Sequence, residues 1–344
     1  MAIPVFCSYI RRKDMDSVLN CLVTDSVGPG EYLDKFQKAG REILGFDYGF
    51  AVRSPYFALR IALDSLGIAK GEAVALPALA PAYYARVLVD LGLVPVYFDN
   101  AADSCAADAS EYEAAAAAGE RKPRAILLFE ALGVMPDPEA FRALDVPIIE
   151  DISQSLGAYY GETKAGSLGR LTILGLEGGG LVTAGGGALL FAKGRREGTV
   201  LRNIRDNVDP ELLMTDYNAA LGWAQLRELE ANIGKRRELY ALFSQSLART
   251  RHKLLGQAGE GEPGFWALPV AFDSGMKDAM AYAKKKEIDT EEAFTASSVG
   301  KGLVPEGTCP NARSLLLRTL LFPVHQRVGA QGAQKISRVL ATLP

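Results

Sequence analysis

The chain has 344 residues, 49% of them hydrophobic and 23% charged, with a formal net charge of −3. That is an ordinary globular composition with enough chain for a large domain and a smaller one. The basic clusters Arg11-Arg12-Lys13, Arg195-Arg196, Lys235-Arg236-Arg237 and Lys284-Lys285-Lys286 are short and have carboxylates close by. They read as solvated helix faces, and the basic stripe of a nucleic-acid binder is missing. Four scattered cysteines without a CxxC pair, and two histidines in all, argue against a zinc cluster and for reduced thiols. The N-terminal run lacks a basic leader and is broken by Pro4. No stretch approaches the ~18 consecutive apolar residues of a membrane span. A cytoplasmic protein is expected, with no nucleic-acid or membrane partner.

In chain order, Tyr48 to Arg53 reads as a strand and Pro55 to Leu66 as a helix. Ala73 to Leu76 is a short buried strand, Ala82 to Leu91 a helix, and Pro95 to Phe98 a strand. An alanine-rich helix is expected within Ala107 to Gly119. Arg124 to Phe129 and Pro147 to Glu150 are further strands, with a helix around Pro138 to Leu144 between them. Short apolar strands separated by helices predict a mainly parallel central sheet flanked by helices, an α/β class. Asp216 to Leu247 carries apolar residues at helical spacing and predicts one long helix, with Gly234 as its bend. After a Gly/Glu-rich loop at Gly256 to Gly264 come a strand near Phe265 to Val270, a helix near Met276 to Lys285, a strand near Leu315 to Leu321 and a last helix near Gln331 to Leu343. The expected division is a large α/β domain over 1–230 and a small α+β C-terminal domain over 231–344.

Residues 177 to 187 read Glu-Gly-Gly-Gly-Leu-Val-Thr-Ala-Gly-Gly-Gly. No Gly-Lys-Ser/Thr follows, so this is not a P-loop. It lies between two strand-like runs, so it is not the strand-to-helix turn of a dinucleotide fingerprint either. A flexible or close-packed hairpin is the expectation.

Several runs together resemble the DegT-type sugar aminotransferases. They are Gly28-Pro29-Gly30 before a first long helix, Leu66-Gly67-Ile68 with Gly71-Glu72-Ala73-Val74, Pro95-Val96-Tyr97-Phe98-Asp99, Ile149-Glu150-Asp151-Ile152-Ser153-Gln154-Ser155-Leu156-Gly157-Ala158, and Met214-Thr215-Asp216 running on to Leu226. The resemblance implies the fold-type I architecture of pyridoxal phosphate (PLP) enzymes and a dimer with the active site at its interface. It also implies that Asp151 would face the PLP pyridinium nitrogen, where a carboxylate stabilises the electron sink, and that Gln154 would lie near the phenolic oxygen.

The other cofactor positions depart from the family pattern. The Schiff-base lysine falls on Gly179, which has no side chain to form an imine. The Ser-Gly-Thr that opens the phosphate-cupping helix is Ser54-Pro55-Tyr56. Pro55 has no N–H, Tyr56 adds bulk, and the run makes good ordinary helix-start chemistry. The stacking ring is Pro81, with Tyr83 and Tyr84 nearby but out of register and explained equally by helix packing. A phosphate-binding serine is Leu174, and an Asn and an Arg become Glu211 and Leu213. His252 and His325 fall outside the motifs, and Lys164 is a weak substitute base. The lysine, two helix-cup positions, the ring, the serine and the Asn make six correlated losses, which imply a degenerate, aminotransferase-like protein with no covalently bound PLP. Its expected roles are to bind a nucleotide-sugar-like or other small molecule, or to act as the inactive partner of an active paralogue, as a homodimer or heterodimer. The alternative is a working PLP-dependent nucleotide-sugar aminotransferase, moving an amino group from glutamate to a keto-sugar, with its lysine supplied from elsewhere.

Overall fold

The computed structural model describes residues 2–344. Two helices, α1 (Arg12–Val23) and α2 (Glu31–Leu44), precede a seven-stranded sheet. Its strands are β1 (Tyr48–Val52), β2 (Ala73–Pro77), β3 (Val94–Phe98), β4 (Ile126–Phe129), β5 (Ile148–Asp151), β8 (Leu171–Gly175) and β9 (Ala188–Ala192), the two-residue strands β6 (Tyr159–Tyr160) and β7 (Thr163–Lys164) forming a hairpin outside it. The order is β1-β9-β8-β5-β4-β2-β3, and β9 alone runs against the rest. Helices α3 (Pro55–Ser65), α4 (Ala82–Asp90), α5 (Ala109–Ala118), α6 (Pro138–Arg142) and α7 (Arg195–Asn207) connect or follow these strands. Both faces are covered. Leu127 and Phe129 enter one hydrophobic cluster while Ile126 and Leu128, alternating with them, enter another.

The expected single helix over Asp216 to Leu247 is two helices, α8 (Asp216–Leu226) and α9 (Leu229–Leu247). The chain leaves helical geometry at Glu228, whose carboxylate holds Arg11 at 2.7 Å and Lys13 at 2.6 Å. Gly234 lies inside α9 with open space beside it and is not the bend. Beyond α9 come β10 (Lys253–Leu254), β11 (Gly261–Glu262), β12 (Leu268–Ala271), α10 (Met276–Lys285), β13 (Glu291–Glu292), α11 (Pro310–Arg318), β14 (Thr319–Phe322) and α12 (Gly329–Leu340). A four-stranded sheet forms in the order β10-β12-β14-β13, and β11 joins the β6–β7 hairpin. The strand expected near Leu315 to Leu321 begins only at Thr319, because Leu315 belongs to α11. The Asp99 carboxylate accepts the Asn311 and Ala312 N–H groups, both at 2.8 Å, and so starts that helix from the far end of β3.

A similar remote cap explains part of the Met214-Thr215-Asp216 motif. Gly30, at the head of α2, has no side chain to cap with. Buried Asp216 accepts the Tyr32 N–H at 3.2 Å and the Leu33 N–H at 2.9 Å instead. Replacing Asp216 by Ala is predicted to cost about 2 kcal/mol of stability, measured by urea unfolding; a change too small to resolve would remove the cap from the account of α2.

Candidate functional site

The carboxyl ends of the parallel strands meet in a cleft, the place where open α/β sheets bind ligands. A cavity of about 190 Å³ there is lined by Pro55, Pro81, Tyr83, Phe129, Asp151, Ser153, Gln154, Gly175, Glu177, Gly179, Gly180 and Trp266. The site is thus built by the end of β5, the start of α3, the loop before α4, the Gly-rich hairpin between β8 and β9, and Trp266 from the second half of the chain. A neighbouring cavity of about 170 Å³ shares Pro81, Phe129, Gln154 and Trp266 with it.

Asp151 is 2% exposed and its carboxylate is already engaged. The Tyr84 hydroxyl donates to Oδ2, and the Ser153 N–H donates to Oδ1 at 2.8 Å. Burial pushes the Asp151 carboxyl up, and the Ser153 and Tyr84 hydrogen bonds pull it back. Burial also raises the Tyr83 and Tyr84 hydroxyls well above the phenol range, with the Asp151 charge adding to the effect. Gln154 directs its side-chain oxygen to the Leu132 N–H at 2.7 Å, where the backbone turns left-handed. Gly133 and Gly264 pass at close quarters here, and the Gly264 N–H donates to the Gly133 carbonyl at 2.8 Å. A Cβ on Gly264 would sit 2.7 Å from the Gln154 carbonyl oxygen and 2.7 Å from Ser155 Cα, so the close approach of the two backbones requires glycine there.

The Gly-rich hairpin is close-packed. Leu181, Val182 and Ala184 are buried, and the Asn232 side chain donates to the Leu181 carbonyl at 2.7 Å. The N-terminal segment crosses the hairpin. Ser8 Oγ donates to the Gly178 carbonyl at 2.8 Å, and Phe6 lies over Gly179 while packing on Trp266 at 4.4 Å between ring centroids. That segment is held from the far side by the Glu287 carbonyl on the Ile3 N–H, by the Ile3 carbonyl on the Asp289 N–H, and by His325 Nε2 at 2.8 Å from the Pro4 carbonyl. A Cβ at Gly179 would meet only the Phe6 side chain, at 3.6 Å, an ordinary contact. Glycine is therefore not required at this position by the backbone.

Of the positions named from the sequence, Asp151, Gln154, Pro55, Pro81 and Gly179 come together around the cavity. Ser54 caps α3, accepting the Phe57 N–H at 3.3 Å. Two expectations are corrected. Tyr56 does not enter the cleft, since its hydroxyl reaches Asp90 on α4. Leu174 points into the core behind β8, because alternation along the strand turns it away from the Gly175 side. Glu211, Leu213 and Lys164 line neither cavity. His252 is spent on the Pro344 carbonyl, and His325 on Pro4. By sequence alone Tyr83 and Tyr84 lie out of register with the stacking position and are explained equally by helix packing. Their place just after β2, on the same sheet edge as Asp151, was the signal that could have found them. Phe6 and Trp266 carried no such local signal.

The residues present do not fit PLP. Among the described residues no lysine, arginine or histidine lines either cavity. At the head of α3 Pro55 has no N–H and that of Phe57 is taken by Ser54, so the helix start offers a phosphate little.

The doubly covered, mainly parallel sheet, with its cleft at the strand ends and a smaller sheet beyond, is the architecture of PLP-dependent aminotransferases. An aminotransferase from Streptoalloteichus hindustanus matches it with a TM-score of 0.87 at 18% identity, over 99% of this chain and 98% of that one. A Streptococcus pneumoniae protein solved in its PLP form matches with a TM-score of 0.89 at 18% identity, over 100% of this chain and 98% of that one. Within that class, the model of the DegT/DnrJ/EryC1/StrS aminotransferase family matches residues 8–341, and the chain belongs to this family. A similar curated relative, the GDP-perosamine synthase of Caulobacter vibrioides, is 26% identical over 279 residues, covering 76% of this chain and 75% of its own length. No helix among the described residues is long and apolar enough to cross a membrane.

Beside the cleft, Glu130 and Glu150 are buried close together. Glu150 accepts three backbone N–H groups, from Gly166 at 2.6 Å, Leu168 at 2.8 Å and Gly169 at 2.7 Å, which suits it to hold the charge. Neither Glu130 oxygen closes a hydrogen bond, although Ser155 and Glu150 lie near enough to interact. Burial, then the Glu150 charge, hold the Glu130 carboxyl well above the usual carboxylate range. A carboxyl raised in this way stabilises the fold fully below its unfolded pKa of about 4.3, and that contribution is lost as pH rises toward the folded value. Replacing Glu130 by Gln is predicted to make the protein more stable than the parent at pH 8, the gap growing from pH 5 by up to about 1.4 kcal/mol per pH unit. Urea unfolding across that range checks it, and a gap that shrinks with rising pH would reverse the assignment.

Proposed function

We propose that this chain is a member of its family that does not transaminate by itself, and that it keeps the old cofactor cleft as a pocket for a small ligand. The observation that carries this reading is the lining of the cleft: among the described residues no lysine reaches either cavity, and Pro55 and Ser54 leave the head of α3 with little to offer a phosphate. The relatives named as GDP-perosamine synthases supply a setting in sugar-nucleotide metabolism. In this reading the chain takes part there by binding, as one member of a pair of like or related chains.

The purified protein, mixed with millimolar PLP and treated with borohydride, is predicted to show no stoichiometric, single-site band fixed by reduction. Such a band would overturn the reading. A second arm uses Gly179→Lys, which the local space accommodates. The variant is expected to fold with stability within about 1 kcal/mol of the parent and still to take up no stoichiometric PLP, because the head of α3 is unchanged. Full PLP loading by this single substitution would show that only the lysine had been missing.

A further inference from the structure

The two cavities of the cleft carry one sign of charge. Asp151 and Glu177 line the first, and Glu291 and Glu292 line the second. Glu177, Glu291 and Glu292 form no ion pair with another described residue. The chain does have a hollow lined by cations, Arg41, Arg202 and Arg205, but it adjoins Tyr48 at the opposite, amino end of β1.

The walls between these carboxylates are aromatic. Tyr83, Phe129 and Trp266 line the first cavity, and Phe6, Phe129, Trp266 and Phe294 line the second. The rings support one another. Phe6 packs on Trp266, and Tyr84 meets Tyr83 and Phe129 edge-on at 4.9 and 6.1 Å between centroids. Ring faces attract a cation through their quadrupole, most strongly when water is excluded. Carboxylates behind or beside the rings add Coulomb attraction in a partly dry cleft. The same fields repel phosphate and pyrophosphate.

The geometry points to a small organic cation, an alkylammonium compound, as the ligand of this cleft. Its ammonium would lie against Trp266, Phe129 and Tyr83, facing Asp151 and Glu177. Asp151 retains acceptor capacity beyond its two donors, since a carboxylate offers about four lone-pair sites. The two cavities, at about 190 and 170 Å³, are each below the roughly 300–1,000 Å³ of pockets for drug-sized ligands, which suits a small amine in either one. The second cavity, with Glu291 and Glu292, gives room for a second ammonium at the far end of a short diamine.

This assignment rests on the reading that the cleft no longer serves PLP, and the two fail separately. The probe is choline against its uncharged carbon isostere, read by Trp266 fluorescence in a Trp223→Phe background, since the chain has two tryptophans. Choline is expected to change the emission saturably and the isostere to bind at least about tenfold more weakly. Glu177→Gln in the same background is expected to weaken choline about threefold or more with the melting temperature unchanged. Equal binding of choline and isostere, no saturation by choline, or tighter binding of inorganic phosphate than of choline would each overturn the assignment. Any of these without a borohydride-fixed PLP band leaves the previous reading standing, whereas the band defeats both.

Discussion

Two adjacent carboxylates at the end of β5 set the terms for the rest of this molecule. Glu150 and Asp151 lie in the interior strand of a sheet covered on both sides, and alternation along the strand sends them to opposite faces. A buried charge is tolerated only with donors to match. Glu150 is met by the backbone of residues 166 to 169, which fixes the turn leading into β8. Asp151 is met by Tyr84 and Ser153, which ties α4 to the strand end, and Ser153 Oγ in turn accepts the Gly175 N–H at 2.7 Å. The β5–β8 edge, the start of the Gly-rich hairpin and the mouth of the cleft are all arranged around these two groups.

The electrostatic character of the cleft follows from what stands near that edge. A PLP site of this architecture combines a phosphate-binding helix start and a lysine with a single carboxylate. Here the helix start is occupied by Pro55 and Ser54, no side-chain cation lines either cavity, and three further carboxylates do, Glu177 in the first and Glu291 and Glu292 in the second. Removing positive groups around a retained acid changes which ions the cleft attracts. The substitutions are better understood as one change in field than as separate lesions.

Much of the fold was legible from periodicity and strand length, because the parallel strands are nearly continuous apolar runs and their helices are amphipathic. The misread segments share a cause. At the break between α8 and α9 Glu228 meets Arg11 and Lys13 from the other end of the chain, and the helix through Leu315 is capped by Asp99, more than 200 residues earlier. No local pattern encodes a partner that distant. The site divides in the same way. Asp151, Gln154, Pro55, Pro81 and Gly179 were found through motif position. Tyr84 reads equally well as helix packing from its local pattern, and Phe6 and Trp266 reach the cleft only through tertiary contacts. Tyr56 and Leu174 were assigned to the pocket by register, but side-chain direction puts them elsewhere.

The N-terminal segment gives the cleft an order of assembly. Ile3 and Pro4 find their partners at Glu287, Asp289 and His325, and Phe6 finds its own at Trp266. During synthesis Ile3 and Pro4 must wait for residues 287 to 325 before they can dock, while the seven-stranded sheet has all its strands by residue 192. The Phe6 wall is therefore a late closure on a sheet whose strands already exist. A nascent chain halted before residue 287 would hold the Gly-rich hairpin, Asp151 and Trp266 but lack the partners that anchor Ile3 and Pro4.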